Sequence, residues 1–191
     1  MRTLCFALLG GLFGQPVSYT ETMDWIITNV NAHAKTEYQN PGSVKAQTTW
    51  EITERRGCEM DVKQVFHRDS TQNVTAFDGA LSTSEDEAKT YTFDLTELDA
   101  RNIRAVTAEK TPYVILTSTT DIFRVKTDHK SKTTRTDGSE RDKAEWNMEQ
   151  RARTLWIYFG AGGTDNTKLA REMESSLRTG VHYCRSGKAT K

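Results

Sequence analysis

The sequence predicts an α+β fold: an N-terminal helix, about seven mainly antiparallel strands in a barrel or sandwich, and a C-terminal amphipathic helix. Near both ends of the chain, apolar residues recur every three or four positions, as on one face of a helix. Between those segments they alternate with polar residues, as in half-buried strands. Runs of strands flanked by helices favour this fold over the alternating βαβ pattern of a parallel sheet.

Length and charge bound the number of domains and the kind of partner. A chain of 191 residues is long enough for one sizeable core and short for two, so residues 15–191 are predicted to form a single domain. The 26 Lys and Arg residues balance 26 Asp and Glu residues, which gives a formal net charge of zero. Because proteins that bind nucleic acid gain much of their affinity by neutralising phosphates, this balance argues against a nucleic-acid partner.

Residues 1–14 are predicted to be a signal peptide. Arg2 precedes an uncharged apolar run, Leu4 to Phe13, which is too short to span a bilayer. The sequence therefore favours export to the periplasm or the medium, with no transmembrane segment after the leader. The alternative is a cytoplasmic protein in which this run is a buried strand or helix.

The first helix is predicted to begin at Ser18 and to stop at the Asn-Pro-Gly stretch, residues 40–42. Ser18 and Glu21 have the spacing of a capping box, which satisfies free N–H groups at a helix start. The residues that follow at helical spacing and are expected to face the core are Met23, Ile26, Ile27, Val30 and Ala34.

After this helix, apolar residues recur at every second position. Trp50 and Ile52 alternate with polar residues before an Arg-Arg-Gly turn, and Met60 and Val62 alternate after it. These two segments are predicted to form a hairpin.

Two polar stretches are predicted to be loops: residues 70–89, and the long loop at 126–153. The strand that follows the second one has apolar residues in both phases. Such a strand is typical of burial on both faces. Its alternating residues are Leu155, Trp156, Ile157, Tyr158 and Phe159.

The C-terminal segment has the strongest helical pattern, and it suggests a disulfide. Cys184 falls in the apolar stripe of this helix, and Cys58 is in phase with the core positions of its strand. If the leader and its Cys5 are removed, Cys58 and Cys184 are candidate disulfide partners in an oxidising compartment. The alternative is two buried thiols. The full stripe is Leu169, Met173, Leu177, Val181 and Cys184.

The glycine-rich stretch Gly160–Lys168, which precedes this helix, has the composition of a phosphate-binding loop. Its glycines lack the spacing of either the P-loop or the dinucleotide-binding motif. Asp165 is predicted to cap the helix, and its carboxylate would repel an anion. The stretch is therefore predicted to be a turn between the last strand and the helix.

The order of elements resembles the pleckstrin-homology-like fold, in which seven meandering strands are capped by a C-terminal helix. The segments "TETMDWIITNV", "TYTFDLTELDARNI" and "TLWIYF", followed by the C-terminal helix, also look like parts of small exported bacterial proteins of uncharacterised function. The resemblance covers most of the chain after the leader and implies the fold rather than an activity. The turn after the first strand lacks the basic cluster of phosphoinositide-binding members, so that ligand gains little support.

No motif for catalysis or metal binding is present. The four histidines stand singly, without the HExxH or CxxC spacing of zinc sites, and no G-x-S-x-G is found. The sequence predicts no catalytic residue, no metal and no cofactor, and it favours a non-enzyme over an enzyme.

Two groups of residues are candidates for an interaction surface. Trp156 and Tyr158 are of the types enriched in interface cores, but packing under one of the two helices is favoured over a partner surface. The basic group suits an anionic surface, unless the acidic residues of the segment 140–149 neutralise it in a solvated loop. This basic group consists of Arg124, Lys126, Lys130 and Lys132.

These observations predict an exported, non-catalytic domain that binds a protein partner or an envelope component. The alternative is a small-molecule or lipid-binding domain, or a cryptic hydrolase, with its site between the sheet and a helix.

Overall fold

The computed structural model describes residues 18–40, 43–73, 79–107, 110–160 and 165–187. The predicted signal peptide and residues 161–164 of the glycine-rich stretch lie outside these ranges. Two short 3-10 helices, Leu95–Glu97 and Ala100–Asn102, precede β5. The helices and strands are α1 (Tyr19–His33), β1 (Lys35–Asn40), β2 (Val44–Arg56), β3 (Glu59–Asn73), β4 (Ala80–Asp94), β5 (Ile103–Val106), β6 (Tyr113–Thr117), β7 (Phe123–Arg135), β8 (Glu140–Ala152), β9 (Thr154–Tyr158) and α2 (Asn166–Arg185).

The strands form two antiparallel sheets, which confirms the α+β prediction. Sheet 1 has six strands in the order β1-β2-β3-β4-β7-β8, and sheet 2 has three in the order β5-β6-β9. Within the described residues the two sheets do not close into a barrel, so the pleckstrin-homology-like arrangement is not confirmed. The described residues form nine strands, whereas the sequence predicted about seven.

Helix α1 has the predicted start and the predicted buried stripe, but it ends earlier than expected. The Ser18 hydroxyl accepts the backbone N–H of Glu21 at 3.2 Å, which confirms the cap. The last helical residue is His33, and the carbonyl of Ala34 already accepts the N–H of Trp50 at 2.9 Å. Residues 35–40 then pair with β2 as strand β1. Backbone pairing with a neighbouring strand, which no local pattern shows, ends the helix here.

Both predicted loops are wrong. The segment 126–153 is mostly strand: β7 and β8 form a hairpin with a turn at Thr136–Ser139, where Gly138 has φ +81°. The segment 70–89 holds the end of β3 and the start of β4, which pair with each other up to Asn73 and Ala80. These strands are polar because their far ends extend beyond the hydrophobic core and meet water on both faces. Their order comes from backbone hydrogen bonds to neighbouring strands, and only the stretch from Ala144 to Met148 on β8 shows an apolar alternation in the sequence.

The core lies between one face of sheet 1, the two helices and sheet 2. We call the face of sheet 1 that carries Trp50, Val62 and Val125 the inner face, and the opposite one the outer face; all three side chains are buried. Sheet 2 adds Leu116 and Ile157, and every residue of the predicted α2 stripe is buried. The hairpin and C-terminal helix predictions are thereby confirmed.

The predicted disulfide joins Cys58 and Cys184, whose Cα atoms are 5.9 Å apart. It ties the turn between β2 and β3 to the last turn of α2. The Tyr19 hydroxyl donates a hydrogen bond to the Gly57 carbonyl at 2.6 Å in the same corner, and burial raises the pKa of Tyr19 above its usual value. The neutral phenol therefore remains a donor, and the first turn of α1 is held at this junction.

Candidate interaction surface

Sheet 1 is longer than the core that covers it. Strands β3 and β4 have 15 residues each, whereas the strands of sheet 2 have four or five. On β7, Phe123, Val125 and Thr127 are buried, but His129 and the inner residues beyond it are only half-buried. The far part of the inner face is therefore open, and we call it the open inner face.

Large apolar side chains are exposed on this surface. Tyr38 is 61% exposed, Trp146 42% and Met148 44%. The register places Trp146 beside His129 and Met148 beside Thr127, so both lie on the inner face. Tyr38 lies opposite Ala46 on β1, at the other edge of the same face. Side chains that a core would normally bury thus line a face that the described residues leave uncovered.

Trp146 is held in place by a ring stack. Its ring centroid lies 4.8 Å from that of His129, with an angle of 16° between the planes. The His129 side chain is only 13% exposed, and its Nδ1 lies 3.9 Å from Glu85 Oε1, too far for a hydrogen bond. The stack fixes the indole before any partner binds, which lowers the entropy cost of binding.

Strand β8 is a long free edge. It has 13 residues and, among the described residues, pairs with β7 alone, whereas the other edge strands, β1, β5 and β9, have six, four and five residues. Ala144, Trp146 and Met148 point to the inner face, and the charged residues other than Asp142 point to the outer face between Arg141 and Arg151. This apolar–polar alternation is typical of a strand with one buried face. The loop predicted at 126–153 misses β8, although the alternation from Ala144 to Met148 is a signal for it in the sequence.

Polar groups border the open inner face where the core begins. Lys89 Nζ lies 2.6 Å from Glu87 Oε1, and the Tyr91 hydroxyl donates to Gln64 Oε1 at 3.2 Å. Burial, and then the charge of Glu87, raises the pKa of Tyr91. The lysine neutralises the nearby carboxylate, and the tyrosine stays protonated, so this border offers hydrogen bonds rather than an activated base or nucleophile.

The predicted aromatic pair lies on sheet 2. Strand β9 is buried on one face only, so the prediction of burial on both faces is wrong: Leu155 and Ile157 are buried, and Trp156 is 47% exposed. Tyr158, on the same face as Trp156, packs against Trp50 with a centroid distance of 5.5 Å. Within the described ranges β9 is an edge strand of sheet 2, with β6 as its one strand neighbour. Tyr158 connects this face of sheet 2 to the inner face of sheet 1.

The predicted basic group lies elsewhere. Its four residues lie on the outer face of β7 in sheet 1, whereas Trp156 and Tyr158 lie on β9 in sheet 2. Strand β8 supplies acidic partners: Lys130 Nζ lies 2.9 Å from Glu145, and Lys132 Nζ 3.3 Å from Glu140. A hydrogen bond to Glu145 raises the pKa of Lys130. Acidic residues of β8 therefore neutralise these two lysines, which was the alternative to a site for an anionic surface.

A surface concavity of about 460 Å³ lies along α2, lined in part by Arg171, Glu174, Arg178 and His182. Its polar groups are engaged in the fold. The Glu174 carboxylate accepts the N–H of Ala105 at 2.7 Å, and the Arg178 guanidinium donates to the Ile103 carbonyl at 2.8 Å. These contacts fasten α2 to sheet 2.

Within the described part of the chain, no cluster of three His, Cys, Asp or Glu side chains suits a metal ion. None of the helices found there has the length and apolar character needed to cross a membrane.

Comparisons with known protein families, curated proteins and solved structures find no match to this chain.

Proposed function

We propose that this chain is an exported, non-catalytic binding domain that holds a protein partner along β8 and the open inner face. The observation that carries the proposal is the long free edge of β8, with Trp146 and Met148 exposed on the inner face. Trp, Tyr and Met are enriched in the cores of protein interfaces. A free strand edge adds unpaired backbone groups that a partner strand can bind.

An exported location is part of the proposal. The disulfide between Cys58 and Cys184 is consistent with an oxidising compartment, since such bonds are rare in the cytosol. The resemblance to small exported bacterial proteins supports the same location.

The alternative of a small-molecule or lipid site, or a hydrolase site, between sheet and helix has less support. The contact between the helices and the sheets is filled by buried apolar side chains such as Met23, Leu95 and Met173. A ligand site there would need convergent polar groups around a cavity.

Photocrosslinking in the native host tests the proposal. The photoreactive residue p-benzoylphenylalanine replaces Trp146, and in a control chain it replaces Arg171, an exposed residue on α2. We expect a discrete covalent adduct from position 146 that is absent from position 171 and that weakens when Met148→Glu is added. Equal adducts from both positions, or none from position 146, would contradict the proposal.

A further inference from the structure

We propose that the partner at β8 is a second copy of this chain. The two β8 strands pair antiparallel about a two-fold axis at Trp146, which joins the two copies of sheet 1 into one continuous sheet. This inference rests on the proposed function and names its partner.

The first argument is that most of β8 lacks the features that normally protect a sheet edge. Natural edge strands are short, or carry proline, a bulge or an inward-pointing charge. Strand β8 has 13 residues without proline or glycine, and its bulge at Arg141 and inner-face charge at Asp142 both lie at its start. From Lys143 to Ala152 its register with β7 is unbroken, and the inner-face residues carry no charge. Strand β1, at the other edge of sheet 1, has six residues and is followed by Pro41.

The second argument is charge complementarity in one register. Trp146 is the midpoint of β8, so an axis there pairs the whole strand with its copy. On the outer face, Lys143 then lies opposite Glu149 of the second copy, twice by symmetry. Opposite charges in directly facing positions stabilise a strand pair. Arg141 comes opposite Arg151 only toward the strand ends, where both side chains are exposed.

Neighbouring registers are worse. An axis at Glu145 pairs Arg141 with Glu149, but it places the Glu145 carboxylate opposite its own copy at the centre and sets Met148 against Asp142 on the inner face. An axis at Asn147 places Glu145 opposite Glu149 and Lys143 opposite Arg151, and like charges that face each other destabilise a strand pair. Axes two residues from the midpoint shorten the paired segment and set Trp146 against Asp142 or Gln150.

The third argument is burial on the inner face. In the register centred on Trp146, the two indoles face each other and Ala144 faces Met148. Each indole is already fixed by its stack on His129. Residues that are exposed in one copy thus cover each other in the pair, which accounts for the apolar alternation of β8.

The test is the molar mass of the purified chain, with its disulfide intact, by light scattering over a range of concentrations. We expect twice the mass of one mature chain at high concentration for the wild type. Met148→Lys, which adds an inward charge at the edge, is expected to give a monomer with unchanged circular dichroism. Gln39→Lys, which adds a charge at an exposed position of β1, the other edge strand of sheet 1, is the matched control and is expected to leave the dimer intact.

A charge exchange tests the register. Lys143→Glu is expected to weaken the dimer at least tenfold, and adding Glu149→Lys to restore it. Failure of this rescue, or a dimer that survives Met148→Lys, overturns pairing through β8. A wild type that stays monomeric at every concentration overturns this inference alone, because the crosslink from position 146 can still identify a different protein. The proposed function fails on the crosslinking result instead: no adduct from position 146, or equal adducts from positions 146 and 171.

Discussion

Single residues fix the junctions between the two sheets, and Gly160 is the clearest case. Its N–H donates to the Lys35 carbonyl at 2.8 Å, which joins the chain after β9 to the start of β1. A Cβ at this position would lie 2.8 Å from Thr111 Cγ2 and 3.2 Å from the Lys35 oxygen. The described end of the glycine-rich stretch therefore serves close backbone packing.

We expect Gly160→Ala to lower the free energy of unfolding by about 1–3 kcal/mol, the usual cost of overpacking. Urea denaturation measures the change. Because Ser lacks the Cγ2 methyl of Thr, Thr111→Ser is expected to recover part of the loss in the double variant. A Gly160→Ala chain as stable as the wild type would show that the junction can relax.

His67 carries a pH-dependent interaction on the outer face. Its Nδ1 lies 2.7 Å from Asp86 and its Nε2 3.0 Å from Asp69, and hydrogen bonds to these carboxylates raise the pKa of His67. The charged form is favoured in the folded state, so its contribution to stability is fully present below the unfolded pKa of about 6.5. It is lost as the pH rises through the higher folded pKa.

We expect the wild type to lose slightly more stability than His67→Gln between pH 6 and pH 8, because the side chain is exposed and screened. Urea midpoints at the two pH values give this comparison. An NMR titration of the His67 ring should give a pKa above the usual value. A midpoint at or below 6.5 would disprove the interaction in solution.

Among the elements, α2 is the one whose boundaries and buried face follow most directly from local sequence. The Asp165 carboxylate accepts the N–H of Lys168 at 3.1 Å, as the cap prediction required. Its apolar stripe packs on α1 and sheet 2 without interruption.

We expect Asp165→Ala to destabilise the fold by about 1 kcal/mol, the typical cost of losing an N-cap. Asp165→Asn keeps an acceptor oxygen and should cost much less. Thermal unfolding of the three proteins makes the comparison. Equal losses in Tm for both variants would mean that the carboxylate acts by charge on the helix dipole rather than by capping.

At the scale of the whole molecule, the disulfide is a covalent link between two residues that are 126 positions apart. It restricts the unfolded chain over most of the described residues. In the chain-entropy account, a loop of this length contributes about 4–5 kcal/mol to stability.

We expect the Cys58→Ala/Cys184→Ala variant to lose most of that stability, as measured by urea denaturation. Reductant should destabilise the wild type to a similar level and leave the double variant unchanged. A wild type insensitive to reductant, after thiol counting shows that both cysteines are free, would contradict this role.

The sequence foretold the parts of the fold that bury an apolar stripe. The stripe of α1, the hairpin around Cys58 and the stripe of α2 were predicted because core burial leaves a period of two or 3.6 in the residues. The far ends of β3, β4 and β7 leave no such period. Their polar residues face water on both sides, and only pairing between distant segments makes them strands.

The candidate surface was harder to predict than the core. Trp156 and Tyr158 were identified by type, but the exposure of Trp156 follows from the edge position of β9 in sheet 2. The basic group was identified by charge, yet the hairpin register sets two of its lysines against Glu145 and Glu140. Trp146 and Met148 were missed, because their role depends on β8 having no neighbour beyond it.

The sequence by itself determined both helices and the core hairpin, because each is a local periodicity set by burial. It left the disulfide as one of two alternatives, and the structure decided it by placing Cys58, in the turn before β3, beside Cys184. The tertiary structure alone decided that sheet 1 extends beyond the helices and sheet 2 that pack on it, and that the two sheets do not close into a barrel. It also decided that β8 has a strand neighbour on one side only among the described residues. These features depend on which strands pair across long separations, and backbone hydrogen bonds between strands are the same whatever the side chains.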